Sequence, residues 1–268
     1  MDINEKKPEI CHSKVLNRIR AGEVACSIKI NVSGLEAAEI AAISGFDCVW
    51  TCMEHCPHSI ETIKVQAAVC RIHDTDLLVR VPRGSYSDYI LPLEANAAGI
   101  MIPHIMSYED AKRAVWQTRF HPVGRRPLDG GNSDGKYGLL PLDEYFRQSN
   151  ERKMVVLQIE DPEPLERDLE AICELSGYDI LYFGPGDFAH ALGISSDFSH
   201  KDIITARRRI AKTARRFGKA AGTVGVWDIR ELIDEGYQFI NLGSDVEALV
   251  NYYSAKRQNF NEIIKGIN

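Results

Sequence analysis

Two acids stand where two apolar runs break off. Met154-Val155-Val156-Leu157 runs into Gln158-Ile159-Glu160, and Ile180-Leu181-Tyr182-Phe183 runs into Gly184-Pro185-Gly186-Asp187. Both runs are short and rich in β-branched or aromatic residues, and a helical stretch lies between them. Strand, helix, parallel strand is the pattern of a right-handed βαβ unit. Neighbouring parallel strands lie roughly 5 Å apart, so Glu160 and Asp187 are expected together beyond one edge of one sheet. Two carboxylates that close repel unless a cation lies between them. Oxygen ligands suit a hard divalent ion such as Mg²⁺. The plainer alternative is two loop acids, one of them a helix cap.

Other residues could complete such a site. Gly184 and Gly186 bring bare backbone beside whatever binds there, and their amides could hold a small carboxylate. Gln158 either shapes the surroundings of the acids or closes the floor beneath them. Arg80 leaves an apolar strand, and a guanidinium there must find an anion, from protein or from substrate. Glu54 and His55 follow another apolar run, where a proton carrier near neutral pH is useful. His58, His104 and His121 are weaker candidates, and His12, His73 and His200 read as surface residues. Cys48, Cys52 and Cys56 are separated by three residues each time, with Cys48 inside a strand; that suits buried thiols better than a cysteine-ligated metal.

These residues need elements to carry them. Val24–Ile28, Phe46–Thr51, Leu77–Val81, Gly99–Ile102, Met154–Leu157, Ile180–Phe183, Ala220–Val224 and Phe239–Leu242 read as buried strands, with amphipathic helices between them. A lead-in helix over Ile10–Ala21 precedes them, Ser33 and Ser107 are expected helix caps, and Val246 begins a last helix. Phe120–Pro141, rich in Gly, Pro and Asp, is a long loop of the kind that carries function. No shift in composition marks a linker, so residues 1–268 are expected to form one domain, a (β/α)8 TIM barrel. The runner-up, a doubly wound open sheet, would carry a glycine-rich turn after its first strand, and Ile28–Gly34 lacks one. A barrel places chemistry at the C-terminal strand ends. Those ends read Ser27 and Lys29, Glu54 and His55, Arg80, His104, Gln158 and Glu160, Asp187, Thr223 and Asp245. Nearly every strand stops at a polar or ionisable group.

Composition excludes several classes. A net charge of −6 spread along the chain argues against a nucleic-acid binder. The clusters Arg207-Arg208-Arg209 and Arg215-Arg216 fall on an amphipathic helix and read as a solvated or subunit-facing surface. Met1–Cys11 is polar, and no run is long enough to span a bilayer, so a cytoplasmic protein with no membrane partner is expected. Its seven cysteines are then expected as reduced thiols.

Together these residues resemble a known family, the metal-dependent (class II) pyruvate aldolases of the HpcH/HpaI type. These include 4-hydroxy-2-oxoheptanedioate aldolase and 2-dehydro-3-deoxyglucarate aldolase. The likeness runs from about Gly45 to Asp245. It rests on Phe46-Asp47 leading to Glu54-His55, Val79-Arg80-Val81, Gly99-Ile100-Met101-Ile102-Pro103, Arg119-Phe120-His121-Pro122 with Gly124 and Arg125, Gln158-Ile159-Glu160, and Gly184-Pro185-Gly186-Asp187-Phe188 with Gly193. The resemblance implies a barrel whose last helix is exchanged between subunits, often in a hexamer built as a trimer of dimers. It implies a divalent metal (Mg²⁺, Mn²⁺ or Co²⁺) on Glu160 and Asp187, chelated by pyruvate through its carboxylate and keto oxygens, with the carboxylate also met by amides near Gly186 and Asp187. Arg80 would stabilise the enolate oxygen and His55 would move the proton. Two positions depart from the family pattern. Cys52 stands where the family has an acid three residues before the histidine, a role Glu54 could assume. Glu94 stands where the family has an aspartate that reaches a neighbouring subunit's site.

The expected activity is that of a carbon–carbon lyase. It cleaves or forms 4-hydroxy-2-oxo acids through a pyruvate enolate and a small aldehyde whose contacts come from the Phe120–Pro141 loop and a partner subunit. One rival keeps the enolate and changes the electrophile, as in oxaloacetate-decarboxylating condensation or citryl-CoA lyase-like chemistry. Another is a ligand-binding relative without catalysis. Tyr252, Tyr253, Phe260, Ile263 and Ile264 on the last helix suggest an interface, hence a homo-oligomer.

Overall fold

The structure is a computed structural model and describes residues 8–194 and 197–266, so the first seven residues of the polar N-terminal stretch lie outside it. Strands β1 (Ala25–Ile30), β2 (Cys48–Cys52), β3 (Asp76–Arg80), β4 (Gly99–Ile102), β5 (Met154–Ile159), β6 (Ile180–Phe183), β7 (Ala220–Val224) and β8 (Tyr237–Ser244) pair in parallel and close into a barrel in chain order. Strands covered on both faces read as continuous apolar runs, which is why all eight were visible in the sequence. Their inward side chains form the inner core: Ala25, Cys48, Leu78, Met101, Val156 and Tyr182 among them. Their outward side chains, such as Val49, Val79, Ile100, Leu157 and Leu181, pack against the helices in a larger cluster.

Some boundaries differ from the sequence reading. The lead-in helix is shorter, Lys14–Arg20, because the Ser13 side chain caps it by accepting from Leu16 N. Ile10 instead joins Phe120, Leu140 and Tyr145 in a small separate cluster. The second helix, Leu35–Ile43, is capped by Gly34 rather than Ser33 and has no side-chain cap. Ser107 caps Tyr108–Thr118 as expected.

Two corrections bear on function. Arg207 is not on a solvated face: its side chain is fully buried and pairs with Glu231 at 2.7 Å and Glu235 at 2.6 Å. It shares the inward stripe of helix Lys201–Arg216 with Ile203, Ile210 and Ala214. Arg208 alone of its run is the exposed arginine that reaches the same acids. The long loop, secondly, is pinned at the N-terminal strand ends. Arg119 donates to Lys153 O at 2.7 Å, just before β5. Arg126 is buried and held by Asp134 at 2.9 Å and by the Tyr145 hydroxyl, and Asn96 donates to Ser133, just before β4. The loop therefore lies at the opposite end of the barrel from Glu160, and within one chain it does not supply the contacts to an aldehyde expected of it.

Helix Asp245–Lys265 closes the chain and has no buried residue among those described. Tyr252, Tyr253, Phe260, Ile263 and Ile264 are all exposed on it. No helix among the described residues is long and apolar enough to cross a membrane.

Candidate metal centre and active site

Glu160 follows the last residue of β5, and Asp187 sits in the first turn of the short helix Pro185–Ala191 that follows β6. The pairing of Gln158 with Tyr182 and of Ile159 with Phe183 brings the two strand ends level. The carboxylates meet as the sequence predicted, with a third group beside them: ligand atoms of His104, Glu160 and Asp187 all lie within 4.8 Å of one another. His104 lies two residues past β4, in a left-handed backbone conformation (φ 47°) that is costly for a histidine. Its backbone N–H donates to Glu160 Oε1 at 3.3 Å. Sequence reasoning ranked His104 low. The available signal was its place on the same rim, after Gly99-Ile100-Met101-Ile102-Pro103 and beside the strand that ends in Glu160.

Burial pushes the Glu160 carboxyl up to about 8; the Arg80 charge pulls it down, and the hydrogen bond and charge of Asp187 push it up again. An acid made this reluctant to ionise beside a second acid is a place where a cation substitutes for the proton. Gly184 holds the backbone against this pair. A Cβ there would come within 2.8 Å of both Gln158 Nε2 and Glu160 Oε2, so any larger residue would have to displace those two side-chain ends. At Gly186 no protein atom would meet a Cβ within 4 Å, which leaves that position open to the mouth. Gln158 is buried, and its Oε1 lacks a partner among the described residues. The donor set, two carboxylates and an imidazole in a glycine-lined recess, fits a divalent cation.

Arg80 faces this centre from the end of β3. It is buried, and its Nε donates to Cys52 Sγ at 3.2 Å while lying 3.0 Å from Glu54 Oε2. Burial would lower its pKa, but Cys52, Glu54 and Glu160 outweigh that and raise it, so the guanidinium is a fixed positive charge. Because the N–H points at sulfur, Glu54 Oε2 is paired by charge and left without a hydrogen-bond partner. Glu54 gathers the histidines as well: Oε2 lies 3.4 Å from His55 Nε2, and Oε1 lies 3.6 Å from His104 Nε2. His55 is exposed, and its backbone N–H donates to Cys52 Sγ at 3.4 Å. Cys52 thus anchors the turn that presents Glu54 and His55, and Glu54 lies beside the imidazole.

The mouth lined by Arg80, Gln158, Glu160, Gly184, Gly186 and Asp187 has a volume of about 610 Å³, large enough for two small reactants. Glu94 is elsewhere. It sits at the opposite barrel end, where Asn132 donates to it at 3.3 Å and Arg126 lies 3.8 Å away in the same chain. Cys48, Cys52 and Cys56 are buried, and burial raises the thiols of Cys48 and Cys56, as expected of cysteines acting as small hydrophobes. His58 is buried, His121 and His12 are exposed, and the half-buried His73 and His200 lie against Glu39 and Asp202.

Residues 31–252 match the model of the HpcH/HpaI aldolase/citrate lyase family. The chain belongs to this family. Over 236 residues it is 28% identical to 5-keto-4-deoxy-D-glucarate aldolase of Klebsiella pneumoniae, an alignment covering 86% of this chain and 91% of that protein. The counterpart from Salmonella paratyphi C is 29% identical over 238 residues, covering 87% and 92%. Among solved structures, a citrate synthase, SbnG, superposes with a TM-score of 0.85 at 25% identity over 96% of this chain and 99% of its own. The HpcH/HpaI aldolase of Desulfitobacterium hafniense shares the fold, with a TM-score of 0.86 at 24% identity over 92% and 96%.

Proposed function

We propose that this chain is a metal-dependent lyase that cleaves, or forms, 4-hydroxy-2-oxo acids by way of the enolate of pyruvate. The observation that carries the reading is the facing pair of assemblies on one rim: His104, Glu160 and Asp187 on one side, Arg80 with Glu54 and His55 on the other. The kinship with 5-keto-4-deoxy-D-glucarate aldolases supports it. Glu160 and Asp187 would hold the divalent cation, with His104 as a third protein ligand. A bound cation of this kind draws electron density from a keto oxygen and so acidifies the neighbouring methyl group. An imidazole ligand favours Mn²⁺ or Co²⁺ over Mg²⁺ in such a site.

The chain's own residues do the rest. Gly186, open to the mouth, leaves room for the pyruvate carboxylate against the backbone. Arg80, fixed by Cys52 and Glu54, presents positive charge to the oxygen on which negative charge grows. Glu54 Oε2, buried and without a hydrogen-bond partner, is placed to hold a proton or pass it to His55 Nε2, which reaches solvent. The exposed apolar residues of helix Asp245–Lys265 support an oligomer as the working form.

The test is pyruvate in D₂O with Mn²⁺ or Mg²⁺, followed through the methyl signal by NMR. Metal-dependent loss of that signal is expected; an unchanged methyl signal with and without metal would sink the proposal. A second reading, oxaloacetate as the enolate source, is favoured by the likeness to a citrate synthase at 25% identity. Turnover of oxaloacetate with no cleavage of 4-hydroxy-2-oxo acids would select it.

A further inference from the structure

The inner face of β1 presents Ala25 to the core, then Ser27, which is fully buried and accepts from Asn241 Nδ2 at 3.3 Å. Side chains two residues apart share a face, so Lys29 is the next inward group and the last before the mouth. It lines the same recess as Arg80, Glu160 and Asp187. Both cations of that recess lie over the indole of Trp50, Lys29 Nζ at 5.7 Å and Arg80 Cζ at 5.2 Å from the ring centre.

Their partners differ. Arg80 has Glu54, Glu160 and Cys52 around it. Lys29 makes no ion pair or hydrogen bond among the described residues; the Trp50 ring is its contact, and Glu247, which lines the same mouth, does not pair with it. A ring face holds a cation far more weakly than a carboxylate does in a sheltered site. A half-buried ammonium in the mouth that no acid among the described residues pairs with is a place for an anion. The metal side of the mouth already offers a place to one carboxylate and one keto oxygen.

We propose that Lys29 sets specificity for the electrophile, by receiving a carboxylate at the far end of the aldehyde, so that the site selects ω-oxo acids over neutral aldehydes. This rests on the lyase reading. It assigns Lys29 no part in removing the proton from pyruvate.

The experiment measures kcat/KM for addition of pyruvate to 4-oxobutanoate and to butanal, the same chain without the charge, in the Mn²⁺-loaded protein, the parent first. The parent is expected to prefer 4-oxobutanoate at least tenfold. Lys29→Met should remove most of that preference, chiefly through KM for 4-oxobutanoate, and Lys29→Arg should restore it. The ratio of the two substrates is independent of how much of each variant is folded. A parent without preference overturns the proposal. So does a Lys29→Met variant whose ratio equals the parent's, or one in which both substrates fall together. Pyruvate methyl exchange in the parent separates the two readings: if it is absent, the lyase reading fails and takes this one with it. If it is present while the ratio stays fixed, Lys29 alone has been misassigned.

Discussion

Glu54 Oε2 lies 3.0 Å from Arg80 Nε, yet the N–H of that nitrogen points at Cys52 Sγ. The carboxylate is therefore attracted without being satisfied, in a setting that shelters it from water. The same oxygen lies 3.4 Å from His55 Nε2. An acid in that position keeps a lone pair for a substrate proton.

Glu54→Gln tests this. The amide preserves size and leaves Arg80 its sulfur acceptor, but it cannot hold a proton. Metal-dependent exchange of the pyruvate methyl protons is expected to fall by about 10²- to 10⁴-fold, the usual span for loss of a general base. Metal affinity should change far less. An exchange rate within a few-fold of the parent's would remove Glu54 from proton transfer.

His104→Gln addresses the metal ligands. Glu160 and Asp187 remain, so binding should persist and weaken, by roughly 10- to 100-fold as for other perturbed metal sites. Titration calorimetry with Mn²⁺ reads the affinity, and electron spin echo spectroscopy reads nitrogen coupling to Mn²⁺. The coupling should be present in the parent and absent in the variant. Equal affinity and unchanged coupling would show that His104 only abuts the site.

Gly184→Ala probes how closely the backbone supports the acids. The added methyl would stand 2.8 Å from Gln158 Nε2 and from Glu160 Oε2, both buried. Overpacking of this kind costs about 1–3 kcal/mol, which thermal or urea unfolding would register. Metal binding should fall more than stability does, since Glu160 has to move. A fully active Gly184→Ala protein would mean that the recess is looser than drawn.

Much of this was legible beforehand, and the reasons differ by residue. Each strand of a closed parallel barrel is covered on both sides, so its sequence is an apolar run that ends where water begins. Glu160, Asp187 and Arg80 were visible because each interrupts such a run. His104 interrupts nothing; it acts through a neighbouring strand end and a left-handed turn that the sequence does not encode as a pattern. Arg207 was misplaced for the opposite reason. A run of three arginines looks solvated, although the spacing of Ile203, Arg207, Ile210 and Ala214 puts Arg207 on the buried stripe. Only the packed neighbour helix Ile229–Glu235 supplies the two acids that make its burial tolerable. The loop over residues 120–141 was read as functional from its composition, and composition carries no information about which end of the barrel it covers.

That end of the barrel supplies the last test. Lys153, just before β5, is buried and donates to Ala97 O at 2.6 Å and to Asn96 Oδ1 at 3.1 Å, with no carboxylate in contact among the described residues. Burial pushes its ammonium down to about 7 from an ordinary 10.5; the nearby Asp134 charge opposes this, and Arg71 and Arg126 reinforce it. A lysine whose pKa is depressed in the folded chain is protonated more readily in the unfolded one. Between about pH 7 and 10.5 the unfolded state takes up the extra proton, so this residue's contribution to stability grows as pH rises through that window and is lost as pH falls through 7. Other groups pull the opposite way: the Cys70 thiol, raised to about 12 chiefly by burial, loses stability as pH rises. Comparison with Lys153→Met cancels such groups, which both proteins share. Urea unfolding at several pH values should show the parent gaining on the variant from pH 7 upward, by an amount on the order of 5 kcal/mol at the limit. A difference that stays flat between pH 7 and 10 would mean that Lys153 carries its full charge in the fold, held by its two carbonyl acceptors.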